Sequence, residues 1–417
     1  MQNNGASMPV ERVDGLEAAA SGARKHVTWW FVALLGALGA LGPLSIDTYL
    51  PSLPTIVRDL RASAGAGEDT LAVFFAGLAI GQLFYGPASD RLGRRGPILF
   101  GVSLYVAASL ACALSPDIRT LLVARLCQAL GGCAAFVVSR AIVRDHFDHQ
   151  ESARFFSLLA LVMGAAPILA PLAGGLILTF AGWRAIFVIL AAIGASVGIA
   201  VYLLLAESRS DAAAQRAREQ HPFRTYLDLL GDRSLLRYLT VAALNSASMF
   251  TYIASSAVVI IGLYHVPPTR FGLVFGANAV GLIAVSQLNR YLLRFYPVDH
   301  LLRAAALASV AFALLLTLAA VSGWGGLWGI LPPLFLTVSV TSMIQANSLA
   351  GALSTDPLRA GSIAALVGSA SFAVSAIAAS IAGAAYDGTA RPMAFVILAC
   401  LGGCAAATFG VVRTSRR

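Results

Sequence analysis

Two ionisable residues in this sequence sit inside runs that are otherwise almost free of charge. Asp47 falls in "LGPLSIDTYLPSLP", residues 41 to 54, behind an uncharged stretch from Thr28 to Leu44, and Arg125 falls in "LLVARLCQALGG". Burial disfavours the charged form of a carboxylate, and a guanidinium close by favours it. A carboxylate balanced between the two can gain and lose a proton near neutral pH, whereas arginine stays charged. Asp47 is therefore the candidate proton carrier, and Arg125 its electrostatic partner or a hydrogen-bond donor to a substrate. The other nineteen of the 20 acidic residues fall in expected tails, loops or span ends. A surface position for Asp47 is opposed by the apolar pattern that Tyr49, Leu50, Leu53, Ile56 and Val57 continue beyond it. Both groups lie about two turns inside the expected outer ends of their helices, about 10 Å deep at a rise of about 1.5 Å per residue. They can pair if those helices face one cavity.

The elements that must position them are membrane helices. Of 417 residues, 58% are hydrophobic and 12% charged, against about 25% charged in soluble domains, and the mean hydropathy is +0.78. That is too little polar material to cover soluble domains, so the chain reads as an all-α integral membrane protein. Stretches of about 20 nearly uncharged residues, enough to cross the bilayer as a helix, fall at 28–55, 69–89, 97–115, 120–142, 155–180 and 185–206. Six more fall at 237–263, 270–289, 301–321, 327–351, 361–385 and 392–412. The expected organisation is a tail over 1–27, a six-helix bundle over 28–206, a linker over 207–236, a second bundle over 237–412 and a tail over 413–417.

The basic residues fix an expected orientation. There are 29, of which 28 are Arg. With the N-terminus in the cytoplasm, 21 fall on the cytoplasmic side and 6 on the opposite side, while Arg125 and Arg140 lie within span 4. This is the positive-inside asymmetry, and it predicts both termini in the cytoplasm. The net charge of +9 thus orients the chain, with no nucleic-acid partner implied. Residues 1–27 are polar and precede a span too long for a cleaved signal, so none is expected. Cys112, Cys127, Cys133, Cys400 and Cys404 all fall in spans and read as small packing residues.

Two further segments are rich in glycine and proline. "GPASDRLGRRG", residues 86 to 96, joins spans 2 and 3. Gly86 suits close helix approach, Asp90 suits docking on the positive N-terminus of a helix from the other half, and Arg91, Arg94 and Arg95 anchor the turn. Within span 5, "GAAPILAPLAGGLI", residues 164 to 177, carries two prolines and three glycines, which bend a helix and allow close packing. "RDHFDHQ", residues 144 to 150, imitates metal ligands, but no further His or Cys stands near it and no metal site is expected. Tyr49, Asn245, Asn278, Gln287 and Asn347 are candidates for cavity polarity, with Phe136, Phe250 and Tyr252 as apolar walls. Each also fits ordinary helix packing.

These segments carry a family likeness. "GPASDRLGRRG" resembles the signature loop of the major facilitator superfamily, and "LGPLSIDTYLPSLP" resembles the first-span motif of its twelve-span drug antiporters. The likeness is greatest to the bicyclomycin/chloramphenicol-resistance (Bcr/CflA) efflux family, and "RLCQALGGCAAFVVSRAIVRDHF", "APILAPLAGGLILTFAGWRAIF" and "DGTARPMA" agree with it. The resemblance implies two six-helix bundles around a central cavity, rocking between inward- and outward-open states in a bacterial inner membrane. It carries over Asp47 as the protonation site and Arg125 as the span 4 basic residue. It also carries over Gly86, Asp90, Arg91, Gly93, Arg94 and Arg95 as a conformational latch, and Gly164, Pro167, Pro171, Gly174 and Gly175 as the antiporter motif. Ala170 departs from that motif, where many antiporters have Gly. The implied activity is export of small, mostly apolar drugs of the chloramphenicol, florfenicol or bicyclomycin kind by a monomer, driven by the proton gradient with no cofactor. The alternatives are a metabolite exporter or importer on the same fold, a channel, and a membrane enzyme. An enzyme would need His, Asp, Glu or Cys clustered at one depth, and the sequence offers none.

Overall fold

Uncharged runs of this length have one stable form in lipid, because a helix satisfies every backbone donor and acceptor within itself. The computed structural model is accordingly built of long helices. It describes residues 29–63, 65–146, 149–207 and 222–414, with side chains except at 29, 144, 146, 149–165, 223 and 410–414. The expected tail over 1–27, linker residues 208–221, tail residues 415–417 and Asp148 of "RDHFDHQ" lie outside the described residues.

The helices are α1 (Trp29–Asp47), the short α2 (Leu53–Asp59), α3 (Ala66–Leu92), α4 (Arg95–Ala113), α5 (Ile118–His146) and α6 (His149–Leu204). Then follow α7 (Pro222–Leu230) in the linker, α8 (Arg233–Ala257), α9 (Pro268–Leu292), α10 (Val298–Ser322), α11 (Gly326–Thr355), α12 (Ala360–Ala384) and α13 (Arg391–Thr414). Among the described residues, eleven helices are long and apolar enough to cross a membrane. One of them, α6, is two spans. Gly182 takes φ 76° and ψ 172°, outside helical geometry, and divides it. All twelve expected spans are thus present. The main boundary differences are that α3 extends past 69–89 at both ends, and that α8 begins at Arg233, four residues before the expected start, and runs on through a π-helical stretch to Leu263.

Helices α1 and α3 to α6 pack as one bundle, and α8 to α13 as a second. The halves meet along two antiparallel seams, α3 against α12 and α6 against α9. In the first seam Gly65 lies on Gly383, and the Ser369 hydroxyl donates to the Ala79 carbonyl at 2.9 Å. In the second, Gly175 lies on Pro268, Gly272 on Leu172 and Gly276 on Ile168. Both seams run inward from the end of the bundle opposite the chain termini, called here the far side. That end is closed.

Candidate functional site

Helix α1 stops at Asp47 for a local reason. Pro51 has no N–H to donate to the Asp47 carbonyl and Pro54 none for Leu50, so the helical ladder cannot continue. The chain instead makes a 3-10 turn over Leu50–Ser52 and restarts as α2. Asp47 therefore ends a helix in the middle of the protein, with its residue 5% exposed. It lines a cavity of about 250 Å³ between the two halves. From the first half the walls are Gly42, Pro43, Ile46, Leu78, Gly132, Phe136 and Pro167; from the second they include Met249, Phe250, Tyr252, Phe275, Asn278 and Phe372. Asp47 is the one carboxyl group in an otherwise mostly apolar lining. Among the described residues its carboxylate has no hydrogen-bond or ion-pair partner. The Tyr252 hydroxyl lies within its field and accepts a hydrogen bond from Asn278 Nδ2 at 2.9 Å.

Arg125 does not pair with Asp47. It is fully buried behind α1, where Nη1 donates to the Ser45 carbonyl at 3.1 Å and to Gln128 Oε1 at 2.7 Å. Its guanidinium carbon stands 4.2 Å from the Phe74 ring centre and 4.5 Å from that of Tyr49. Gln128 passes the network to Ser109, and the Ser45 and Tyr105 hydroxyls share a hydrogen bond of 2.7 Å. The cation is thus held by aromatic faces and ties α5, α4 and α1 together two residues before Asp47. It positions the carboxylate's helix and does not reach the cavity.

Of the residues expected to bind substrate, Phe136, Phe250, Tyr252 and Asn278 line the cavity. Tyr49, Asn245 and Asn347 do not. Tyr49 is buried against Arg125 and donates to the Thr70 hydroxyl at 2.8 Å. Asn245 donates to the Thr341 carbonyl at 3.1 Å. Asn347 and Asn289 bond reciprocally, at 2.9 and 3.2 Å, joining α11 to α9. Each bonds to a neighbouring helix, a common use of polar side chains within membrane bundles. Gln287 is exposed on α9. Sequence reasoning missed Phe372 and Met249. Phe372 joins Phe250 and Phe75 in an aromatic cluster, with centroids 5.2 and 4.6 Å from that of Phe250. This cluster spans both halves, because Phe75 belongs to α3.

The loop at 86–96 is a network on the terminal side. Arg94 is buried, and its guanidinium bonds Asp90, the Ser89 hydroxyl at 3.0 Å and Asp145 at 2.8 Å. The Asp90 carboxylate thus pairs with Arg94 of its own loop, and a different carboxylate caps a helix N-terminus of the same half. Glu207 accepts from the backbone N–H of Arg94 at 2.7 Å and of Arg95 at 3.1 Å, capping α4, where a negative charge meets the positive end of the helix. Gly93 fits here alone, since it has φ 96° and a side chain at that point would strike Glu207. Arg95 stacks on Tyr202 with 5.3 Å to the ring centre. Arg91 is exposed at the end of α3, and open space surrounds Gly86, which makes no close helix contact. Burial and then the Asp90 carboxylate push the phenol of Tyr226, on α7, above its ordinary range, so the loop at 86–96 also faces the linker helix.

In the span 5 motif, Pro167 lines the cavity and Pro171 is buried. Gly174 lies on the Thr48 carbonyl, next to Asp47, and Gly175 on the Pro268 carbonyl. The adjacent glycines therefore join the end of α1 to the start of α9 across α6. Gly164 lies on the same helix, outside the residues whose surroundings are described.

Two helical bundles enclosing a cavity between them, with one unpartnered carboxylate on its wall, have the architecture of a membrane carrier. Residues 35–383 match the family model described as Major Facilitator Superfamily, and the chain belongs to that superfamily. It is 38% identical to an uncharacterized MFS-type transporter, YdgK, of Bacillus subtilis (strain 168), over 87% of this chain and 90% of the relative. It is 32% identical to a bicyclomycin resistance protein homolog of Haemophilus influenzae, over 90% and 94% of the two chains. It is 31% identical to the multidrug resistance protein MdtL of Klebsiella pneumoniae (strain 342), over 68% and 71%. These relatives agree with the resemblance to the Bcr/CflA branch. Among solved structures, the POT family transporter PepTSo superposes with a TM-score of 0.72 at 15% identity, covering 93% of this chain and 98% of that one, which speaks for the fold. A D-xylose–proton symporter superposes with a TM-score of 0.68 at 16% identity, over 92% and 97%. The chain is a multi-pass membrane transporter of a small molecule and not an enzyme.

Proposed function

We propose that this transporter exports small, mostly apolar drugs of the chloramphenicol, florfenicol or bicyclomycin kind in exchange for protons, as a monomer in a bacterial inner membrane. The observation that carries the reading is the unpartnered Asp47 carboxylate on the wall of a largely apolar cavity. Ionised carboxylates are costly inside a bilayer unless paired, so Asp47 and an apolar cargo suit each other when the acid is protonated or the cavity is open to water. The positive-inside count supports cytoplasmic termini, and on that reading the far side is the external face and this state is sealed to the outside. Protonation and cargo each bias the two states only through their differential affinity for them. The resistance-related relatives support a drug cargo. A susceptibility screen of cells with and without the chain, beside an Asp47→Asn variant, tests it. Protection against chloramphenicol-like compounds that the variant loses is expected; protection retained in full by the variant refutes Asp47 as the proton carrier. Growth changes confined to metabolites would instead favour a metabolite carrier on this fold.

A further inference from the structure

A second carboxylate lies in the far-side seam. Glu68 stands in the first turn of α3 and its residue is 1% exposed. Its Cβ packs on Gly383 of α12, and the Ser255 hydroxyl of α8 faces the carboxylate without completing a hydrogen bond of good geometry. Oε2 is buried and unpartnered. The other titratable groups around it offer no countercharge. Asp69, its chain neighbour, is an acid facing Ser380 of α12, and Tyr386 follows α12. On α2, which packs at Gly67, Arg58 pairs with Asp59 at 3.9 Å, and Asp59 accepts from Trp183 at 3.2 Å. Among the described residues no cation reaches Glu68.

An ionised carboxylate sealed there has its own backbone N–H and the Ser255 hydroxyl close by but no cation among the described residues, and such a buried charge is unfavourable. What seals it is the contact between halves, since Gly383 and Ser255 belong to the second bundle and Glu68 to the first. Opening the seam returns the group to water. We propose that Glu68 is a proton-binding site distinct from Asp47, taking one proton from far-side water as the seam closes and returning it there as the seam parts. One carboxylate and one hydroxyl are too few ligands for a metal cation, which takes about six oxygens. The site rests on the two-state cycle proposed above but needs no cargo, and its proton is not carried across.

The test follows the seam directly. Spin labels at Ser63 and Ala385, both exposed and on opposite sides of the α3–α12 seam, report far-side distance in full-length protein in lipid nanodiscs. The Asp47→Asn background removes the other carboxylate. From about pH 5 to about pH 9 the far-side-open population is expected to rise, by up to about tenfold per pH unit for a single proton. Glu68→Gln, the neutral isostere, abolishes that dependence and holds the seam closed throughout; Glu68→Asp retains it. A pH response unchanged in Glu68→Gln, or a seam in the Asp47→Asn background that never responds to pH, overturns the proposal. Failure of the antiport reading would show elsewhere, as undiminished gradient-driven efflux by Asp47→Asn, and leaves this titration to be judged alone.

Discussion

The far-side seal depends on backbone contact that only glycine permits, and Gly175→Ala measures how much. A methyl group at Gly175 would lie 2.5 Å from the Pro268 carbonyl oxygen, 3.0 Å from its carbon and 3.2 Å from the Thr269 Cα. Carbon and oxygen rest at about 3.3 Å or more, so α6 and α9 must separate by about 0.8 Å along that line. All three obstacles are backbone, and no side chain can swing aside. Overpacking of this kind costs about 1–3 kcal/mol, which lowers the closed-to-open ratio about 5- to 150-fold. The assay is the distance between spin labels at Ala181 and Arg270, both exposed and on opposite sides of the α6–α9 seam, at fixed pH, with Gly36→Ala as control because a methyl group there meets nothing within 4 Å. A longer-distance population should grow in Gly175→Ala and not in the control. Identical distributions in wild type and Gly175→Ala would refute the claim that this contact holds the seal.

Replacing Arg94 with Lys leaves one ammonium where a guanidinium bonds Asp90, Ser89 and Asp145; a loss of about 1–3 kcal/mol should appear as a lower melting temperature in detergent. Arg125→Lys should loosen α1, since an ammonium cannot both stack between Phe74 and Tyr49 and reach Ser45. Faster amide exchange near residues 41–47 would report it, and unchanged exchange would count against the positioning role. At the start of α5, the Thr120 N–H and hydroxyl hold the Asp117 carboxyl below its usual range. Its folded value lies below its unfolded one, so its contribution is complete above about pH 4 and fades as pH falls through the folded value. Asp117→Asn should remove that acid sensitivity from local amide exchange at 118–121.

The residues legible in the sequence were those whose chemistry clashed with their surroundings. Asp47 stood out as a lone acid in an uncharged run, and the glycine pair at 174–175 stood out in a span that needed no flexibility. Polar residues in spans were harder to read. Asn278, Asn245 and Asn347 all bond to neighbouring helices but only Asn278 also lines the cavity, and nothing local to those residues separates the two fates. Phe372 was hidden because an apolar side chain facing lipid and one facing a cavity look alike. Glu207 caps α4 across more than a hundred residues of chain, a contact no local pattern announces. Glu68 was missed because α3 begins three residues before its expected start, which turned a residue at the end of a loop into a buried one.

The central claim is that Asp47 exchanges protons for cargo. Its most direct test is reconstitution in proteoliposomes with an imposed pH gradient, recording chloramphenicol movement and internal pH together for wild type and Asp47→Asn. Coupled counterflow of drug and protons in the wild type, lost in a variant that still binds the drug, is the predicted result. Drug movement that tracks the gradient equally in both proteins would contradict it.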